Sequence, residues 1–517
     1  LKKRSLWISA AAAVAIAGAL AGCGSTTYFG GRVLPPSKLV NRVVVAIQNP
    51  SALTKGELEI LDAFYDNRRG YNGTPSSFSI SGYGGALPVT IQNMPEEQFG
   101  AVYGSGDGSF TLVNYQTEKT TGSVSGLNGF SSSIFITRNA QYVFAANEAS
   151  HVLTIVNQSN GSAVPLSLPG VYRVSVNPGG SVALAFVENS NYAYYPVALT
   201  TQESLAFSGG PSTWPQAAED CEPQIAPIWC LLQAQSPDAL DSHYNGQNGT
   251  PVFYTGAPLK FDRPVKAVFS ADGGTAYVLS CGPECGGVAS SVSLLPVAPL
   301  IFQLGKGSGL LPCNSAPCAN SNTRPIVNIP VPGGASNALV DTQNSDQMYV
   351  IGQKPECINN NLLPPPCPNS ESPLFGGNLT AVNLTSNTAG APVAISDGQP
   401  GAISRMIEAD DNTLWIGMSG CTTGVRYATN PTSGFGCLTM FNTSTNTVTL
   451  IEPYIGNATG IADVQGLHKI YTAEGGQVYI YSTTDGSSID NYNVTVTGTA
   501  YDVAYIDATI DADNTVY

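Results

Sequence analysis

One unit of pattern recurs along this chain and constrains its fold more than any other feature. A short apolar run meets a Gly, Asn or Asp turn. A Tyr- or Val-rich run follows, then a second turn and an alternating run ending near Asn or Thr. Residues 134–157 show the unit: Ile134-Phe135-Ile136, a turn at Arg138-Asn139-Ala140, then Tyr142-Val143-Phe144-Ala145-Ala146-Asn147, and then Val152-Leu153-Thr154-Ile155-Val156-Asn157. β-Branched and aromatic residues suit a pleated, half-buried strand, and the turn residues tolerate positive φ. Repetition at blade-sized spacing is expected of radial β-architecture. Further copies place strands at 88–91, 99–103 and 110–115; 172–176, 182–187 and 192–197; 265–269, 276–279 and 292–295; 338–340, 348–351 and 379–384; 404–407, 414–418 and 438–441; and 461–464, 469–472 and 478–481. Fourth strands are expected at 326–331, 447–451 and 493–496.

The two ends complete the pattern. Tyr501-Asp502-Val503-Ala504-Tyr505 reads as an innermost strand with no blade after it, while 42–47 and 58–64 read as later strands with no innermost strand before them. Joining them in one sheet closes a ring and removes exposed edges, where unwanted pairing begins. The expectation is an all-β chain: a single β-propeller of four-stranded blades over 41–517. The count is eight blades, with seven as the alternative. Insertions break the period at 208–262, 299–325, 353–376 and 419–436. Long segments of this kind in a compact domain are usually functional or disordered.

Composition agrees with many short strands and polar turns. Only 11% of the 517 residues are charged, against 55 Gly and 36 Pro. The net charge of −15 argues against nucleic acid and against binding to anionic headgroups through the folded surface. Besides Cys23, ten cysteines fall as near neighbours: Cys221 and Cys230, Cys281 and Cys285, Cys313 and Cys318, Cys357 and Cys367, Cys421 and Cys437. An even count in an exported chain reads as disulfides that staple loops, though spacing alone leaves the connectivity open. A metal site at Cys281 and Cys285 has no second Cys/His pair to answer it.

The N-terminus supplies the exported address. Lys2-Lys3-Arg4 precedes an Ala-rich apolar stretch and then Leu20-Ala21-Gly22-Cys23. The stretch is short for a membrane span and has the flanks of a secretory signal. Small residues before a Cys resemble the bacterial lipobox. That resemblance implies a signal peptide over 1–22, lipidation of Cys23, and a lipidated tether over 23–40. Gly24, where retention signals carry Asp, implies anchoring at the outer membrane. Two or three acyl chains hold a protein stably, so the body need not touch lipid. The alternatives are an ordinary cleaved leader and an uncleaved anchor with a chance Cys.

Tyr142-Val143 with Ala146-Asn147, and Tyr277-Val278 after Ser270-Ala271-Asp272-Gly273-Gly274, resemble the YVTN-type propeller repeat of bacterial lactonase-like and surface-layer proteins. The resemblance covers most of 41–517 at blade level, and most blades lack the full wording. It implies the fold but not the activity, because the family spans hydrolases, surface proteins and many of unknown role.

Chemistry-bearing motifs are sparse. His151, His243 and His468 have no converging spacing and read as structural. No Gly-x-Ser-x-Gly elbow, haem motif or phosphate loop is present. Two acidic groups invite calcium: Asp507, Asp511 and Asp513 near Asn514, and Glu408, Asp410, Asp411 and Asn412. Neither has EF-hand spacing, and both fall where turns are expected. Aligning the innermost strands gives a third group near their starts: Arg173, Lys266, Asn337, Arg405 and Asp502. In a cation-poor chain these would form an anion site at the channel mouth, with Asp502 as base or partner. The alternative is a water-filled channel lined by ordinary polar groups. The leading functional expectation is a lipid-anchored binding module of the cell envelope, meeting a protein or glycan through its loops. The alternative is a lactonase-like or other hydrolytic propeller working at the channel mouth.

Overall fold

Inner strands of a propeller are apolar on both faces because each blade is pressed between two others, and this chain follows that rule. The computed structural model describes residues 34–507, apart from 52, 54, 68–77, 95–97, 128, 200–217, 223–227, 235–258, 298–326, 358–373, 396–402, 422–434, 452–456 and 490–492. In Arg42–Gln48, Val43, Val45 and Ile47 pack against the last blade, while Val44 and Ala46 pack against the second. The two-residue period of a strand makes this division automatic. The same alternation splits Val182, Leu184 and Phe186 from Ala183 and Ala185. Eight apolar clusters result among the described residues, one at each blade–blade interface.

Blade 1 pairs Thr499–Tyr505 with Arg42–Gln48, then Gly56–Asp62 and Phe78–Ser79. Its register sets Val44 opposite Ala504 and Val45 opposite Val503, so chain head and tail share one sheet. Blade 2 holds Pro88–Met94, Phe99–Gly104, Phe110–Asn114 and Lys119–Ser123; blade 3 holds Ser133–Ile136, Tyr142–Asn147, Val152–Asn157 and Ser162–Ser167. Blade 5 comprises Pro264–Phe269, Thr275–Ser280, Ser291–Pro296 and Val327–Pro330. Blade 6 comprises Asn337–Val340, Gln347–Glu356, Leu374–Asn383 and Thr388–Ala389, with Val393–Ala394 beside the third strand. Blade 7 comprises Ile403–Ala409, Thr413–Cys421, Phe435–Asn442 and Thr447–Ile451. The molecule is an eight-bladed β-propeller; the seven-blade alternative falls.

Two blades depart from the sequence reading. Blade 4 runs Val171–Val176, Ala183–Val187, Ala193–Leu199, Ile228–Gln233 and Ala218–Glu222 from centre to rim. The excursion at 208–262 therefore supplies both outer strands, the rim strand preceding the one inside it. Blade 8 has three strands, Ala458–Val464, Lys469–Glu474 and Gln477–Ser482, and the fourth expected at 493–496 reduces to one bridge between Val478 and Val494.

Cys281 and Cys285 are joined by a disulfide across the turn Gly282–Cys285. Cys230, Cys357 and Cys437 are disulfide-bonded as well. The backbone of Cys221 lies opposite that of Cys230 in blade 4, and Cys421 ends a strand of blade 7. Cys313, Cys318 and Cys367 lie outside the described residues, as do Cys23, the segment 1–22 and most of the tether.

A buried ionic lock joins the ring closure to blade 2. Arg42 is fully buried at the head of its strand. Its Nε and Nη2 donate to the Asp507 carboxylate at 3.0 and 2.7 Å, and Nη1 donates to Glu118 Oε1 at 3.0 Å and to the Tyr115 carbonyl at 2.6 Å. Glu118 also accepts from the backbone and hydroxyl of Ser37, which ties the segment before the first strand to the same lock. Burial works against the Arg42 charge, but the two carboxylates outweigh it and hold the guanidinium above its ordinary pKa. Asp507 is thus an ion-pair partner of Arg42. Asp511, Asp513 and Asn514 lie outside the described residues.

Candidate functional site

Six of the eight innermost strands carry a register irregularity near their start, opposite the second strand. An extra residue of this kind bends a strand and re-aims the side chain beside it. The residues directly after it are Asp502, Thr90, Arg173, Lys266, Arg405 and Gly460, in blades 1, 2, 4, 5, 7 and 8. Blades 3 and 6 have Ser133 and Asn337 at the matching rung, opposite Ala146 and Ile351. The five residues expected at the channel therefore share one ring with Thr90, Ser133 and Gly460.

Contacts within the ring are directional. Lys266 Nζ donates to Asn337 Oδ1 at 2.7 Å, from blade 5 to blade 6. Arg405 Nη1 forms an ion pair with Asp502 Oδ1. That pair joins blade 7 to blade 1 and passes over blade 8, where Gly460 stands. A Cβ on Gly460 would meet Asp502 Oδ1 at 2.6 Å and its Cα at 2.7 Å. The absent side chain is what lets the carboxylate come close. The backbone N–H groups of Ile91 and Val503 also donate to Asp502, at 2.8 and 2.9 Å. Arg173 rests over the neighbouring Tyr172 ring, 5.8 Å from its centroid, and no described carboxylate pairs with it.

The charges are unevenly matched. Burial, then the charges of Arg173 and Arg405, bring the Lys266 amine down to about 7. Burial pushes the Asp502 carboxyl up, against the pull of Arg405 and the two backbone donors. Around blades 4 to 7 the ring presents Arg, Lys, Asn and Arg in succession. Its one carboxylate sits past Gly460, engaged with one guanidinium nitrogen of Arg405. Such an arc can bind an anion, and its amine can act as a base or nucleophile near neutral pH.

The second acidic group is occupied by the protein itself. Glu408 accepts from the Thr342 backbone, Asp410 from the backbones of Gly466 and His468, and Asp411 from the hydroxyls of Thr483 and Thr484. The exposed His468 ring meets Asp411 at 3.0 Å. Burial, then the charges of Asp410, Asp411 and Glu408, push the Asp463 carboxyl beneath them well above its usual range. Among the described residues no three potential ligands converge to hold a metal. His151 accepts a hydrogen bond from the Gly170 backbone at 3.3 Å, and His243 lies outside the described residues.

Sequence reasoning found the charged ring members and missed Gly460. The signal was available: Gly460 stands in its strand where the other blades carry Arg, Lys or Asp, and Arg405 needs a gap to reach Asp502.

No family model matches the chain, and no curated protein matches it in sequence. Solved structures similar to it include a periplasmic gluconolactonase, PpgL, of Pseudomonas aeruginosa, 12% identical over 90% of this chain and 98% of that one, with a TM-score of 0.41. A putative 6-phosphogluconolactonase from Bacteroides uniformis is 10% identical over 90% and 99%, with a TM-score of 0.41. The dihydro-heme d1 dehydrogenase NirN is 10% identical over 90% of this chain and 75% of its own, with a TM-score of 0.48. The likeness is one of fold.

Proposed function

We propose that this is an exported, lipid-anchored β-propeller of the cell envelope whose central ring binds a small carboxylate or phosphate anion. One observation carries the binding reading: the arc Arg173, Lys266, Asn337, Arg405 brings three cations together, and the ring's single carboxylate, Asp502, lies beyond the arc, paired with Arg405. Burial, and then repulsion from Arg173 and Arg405, make Lys266 yield part of its proton. An anion docked on the arc relieves that repulsion and favours a positive charge at the Lys266 nitrogen. The chain as a whole carries −15, so the acidic surface outside the ring repels anions and confines them to this place. Anchoring through Cys23 and an exported address are supported by the leader pattern and by the disulfides. Calorimetric titration of the purified soluble body with citrate, gluconate and phosphate at low salt tests the binding. Heat of binding is expected for at least one of them, weakened at least about tenfold by Arg173→Ala with Arg405→Ala, a loss of ~1.4 kcal/mol. No heat with any of the three, or equal affinity in the double variant, contradicts it.

A hydrolytic reading has one observation in its favour: an amine near neutrality and a raised carboxyl stand in the same ring. It requires turnover on a panel of lactones that is lost in Asp502→Asn and Lys266→Met.

A further inference from the structure

Resting on the anion reading, we propose that the ring takes an oxo acid and holds it covalently: the carboxylate docks on Arg173 and Arg405 while the carbonyl carbon bonds to the Lys266 amine. The geometry comes first. Lys266 is buried on the second strand of an arc of four, with an arginine from blade 4 on one side and, past Asn337, one from blade 7 on the other. Its Nζ lies 2.7 Å from Asn337 Oδ1. That contact uses one proton of the amine and leaves the nitrogen lone pair for another partner. No described carboxylate bonds to Lys266, so none of them fixes it as an ammonium. An amine desolvated beside other cations is a recognised way to make lysine nucleophilic, and its lowering to about 7 leaves a large neutral fraction at neutral pH. The same arginines that lower it recognise a carboxylate, so the ligand that suits both features carries a carboxylate and a carbonyl together.

The step balances without a cofactor. The lone pair on Nζ forms the C–N bond as the carbonyl π pair moves to oxygen. That oxygen takes one proton from the amine and one from solvent and leaves as water. A protonated imine remains, with one proton on nitrogen, and water reverses the bond. Asn337 is well placed to accept from that remaining N–H, and the carboxylate neutralises the guanidinium charges that would otherwise oppose a cationic imine.

Pyruvate with added cyanoborohydride, a hydride donor, tests this on the wild-type protein at pH 7. Reduction of the imine fixes a mass gain equal to pyruvate less one oxygen atom. Peptide mapping is expected to place it on Lys266, on the order of a hundredfold faster than on any surface lysine, because an ordinary lysine is almost wholly charged at that pH. Lactate, which has the carboxylate and lacks the carbonyl, is expected to slow the labelling. Lys266→Met is expected to remove it. Pyruvate binding seen by calorimetry with no adduct overturns the imine and leaves the anion reading standing. Neither binding nor adduct overturns both. An adduct spread evenly over surface lysines, or unchanged in Lys266→Met, also overturns the proposal. The mapping uses unaltered protein, so it does not depend on a variant folding.

Discussion

Among the described residues, cations are buried in two places and treated in opposite ways. At the ring closure, Arg42 is enclosed by two carboxylates, a backbone carbonyl and the side-chain oxygen of Gln98. In the central ring, Lys266 has one amide oxygen and two like charges. The guanidinium of Arg42 is held above its ordinary pKa, and the amine of Lys266 is pushed below its own. A saturated ion cluster is a fastening. An unsaturated one has room for a ligand, and the difference in partners separates structure from function within a single scaffold.

The largest effect expected from this contrast is at the fastening. Arg42→Met strands Asp507 and Glu118 in the interior, and breaking a buried pair this way costs ~3–5 kcal/mol. Arg173→Ala removes a partly exposed cation that has no carboxylate partner among the described residues, and it should change stability by about 0.5 kcal/mol or less. Denaturant unfolding of both variants makes the comparison. Equal losses would show that the two regions are not different in kind.

Gly460→Ala is expected to come next. The added methyl meets Asp502 side chain and backbone inside van der Waals distance, so the strand must shift or the Arg405 pair must open. Overpacking of this kind costs ~1–3 kcal/mol. Thermal unfolding should show the loss, with anion affinity altered in the same variant. A neutral result would mean that Arg405 does not depend on the gap.

Much of this was legible in the sequence, and the failures have physical causes. The innermost strands and the closure of Arg42–Gln48 on Thr499–Tyr505 follow from local alternation and from sheets that need partners. The charged ring members follow because one rung of a repeat has one environment, so alignment by strand start gathers Arg173, Lys266, Asn337, Arg405 and Asp502. The outer strands of blade 4 were hidden because the chain runs to the rim at Ala218–Glu222 and turns back into Ile228–Gln233. A reading that assigns strands outward in order cannot see that reversal. Arg42 was passed over as the head of an apolar strand, although a lone Arg before Val43-Val44-Val45 is itself unusual. Asp507 was grouped with its sequence neighbours, whereas its partner lies 465 residues away.

A further stability effect is the pH-dependent one. The Lys266 amine titrates lower in the fold, at about 7, than in the unfolded chain, at about 10.4. Between those values the unfolded chain binds more protons, so the Lys266 contribution improves as pH rises through this window and is least favourable below it. Relative to Lys266→Met, wild type should gain stability from pH 7 toward pH 10, read as a converging pair of unfolding midpoints. A gap that stays constant or widens runs against the assigned titration.

The most direct test of the account is proton uptake on binding. The best-bound anion of the panel is titrated into wild type at about pH 8 in two buffers of different ionisation enthalpy. The amine is mostly neutral there before binding and charged after it, so the measured heat should differ between buffers in proportion to those enthalpies. The difference should vanish in Lys266→Met. Heats that are identical in both buffers for the wild type would show that the ring does not hold a cation short of its counter-charge.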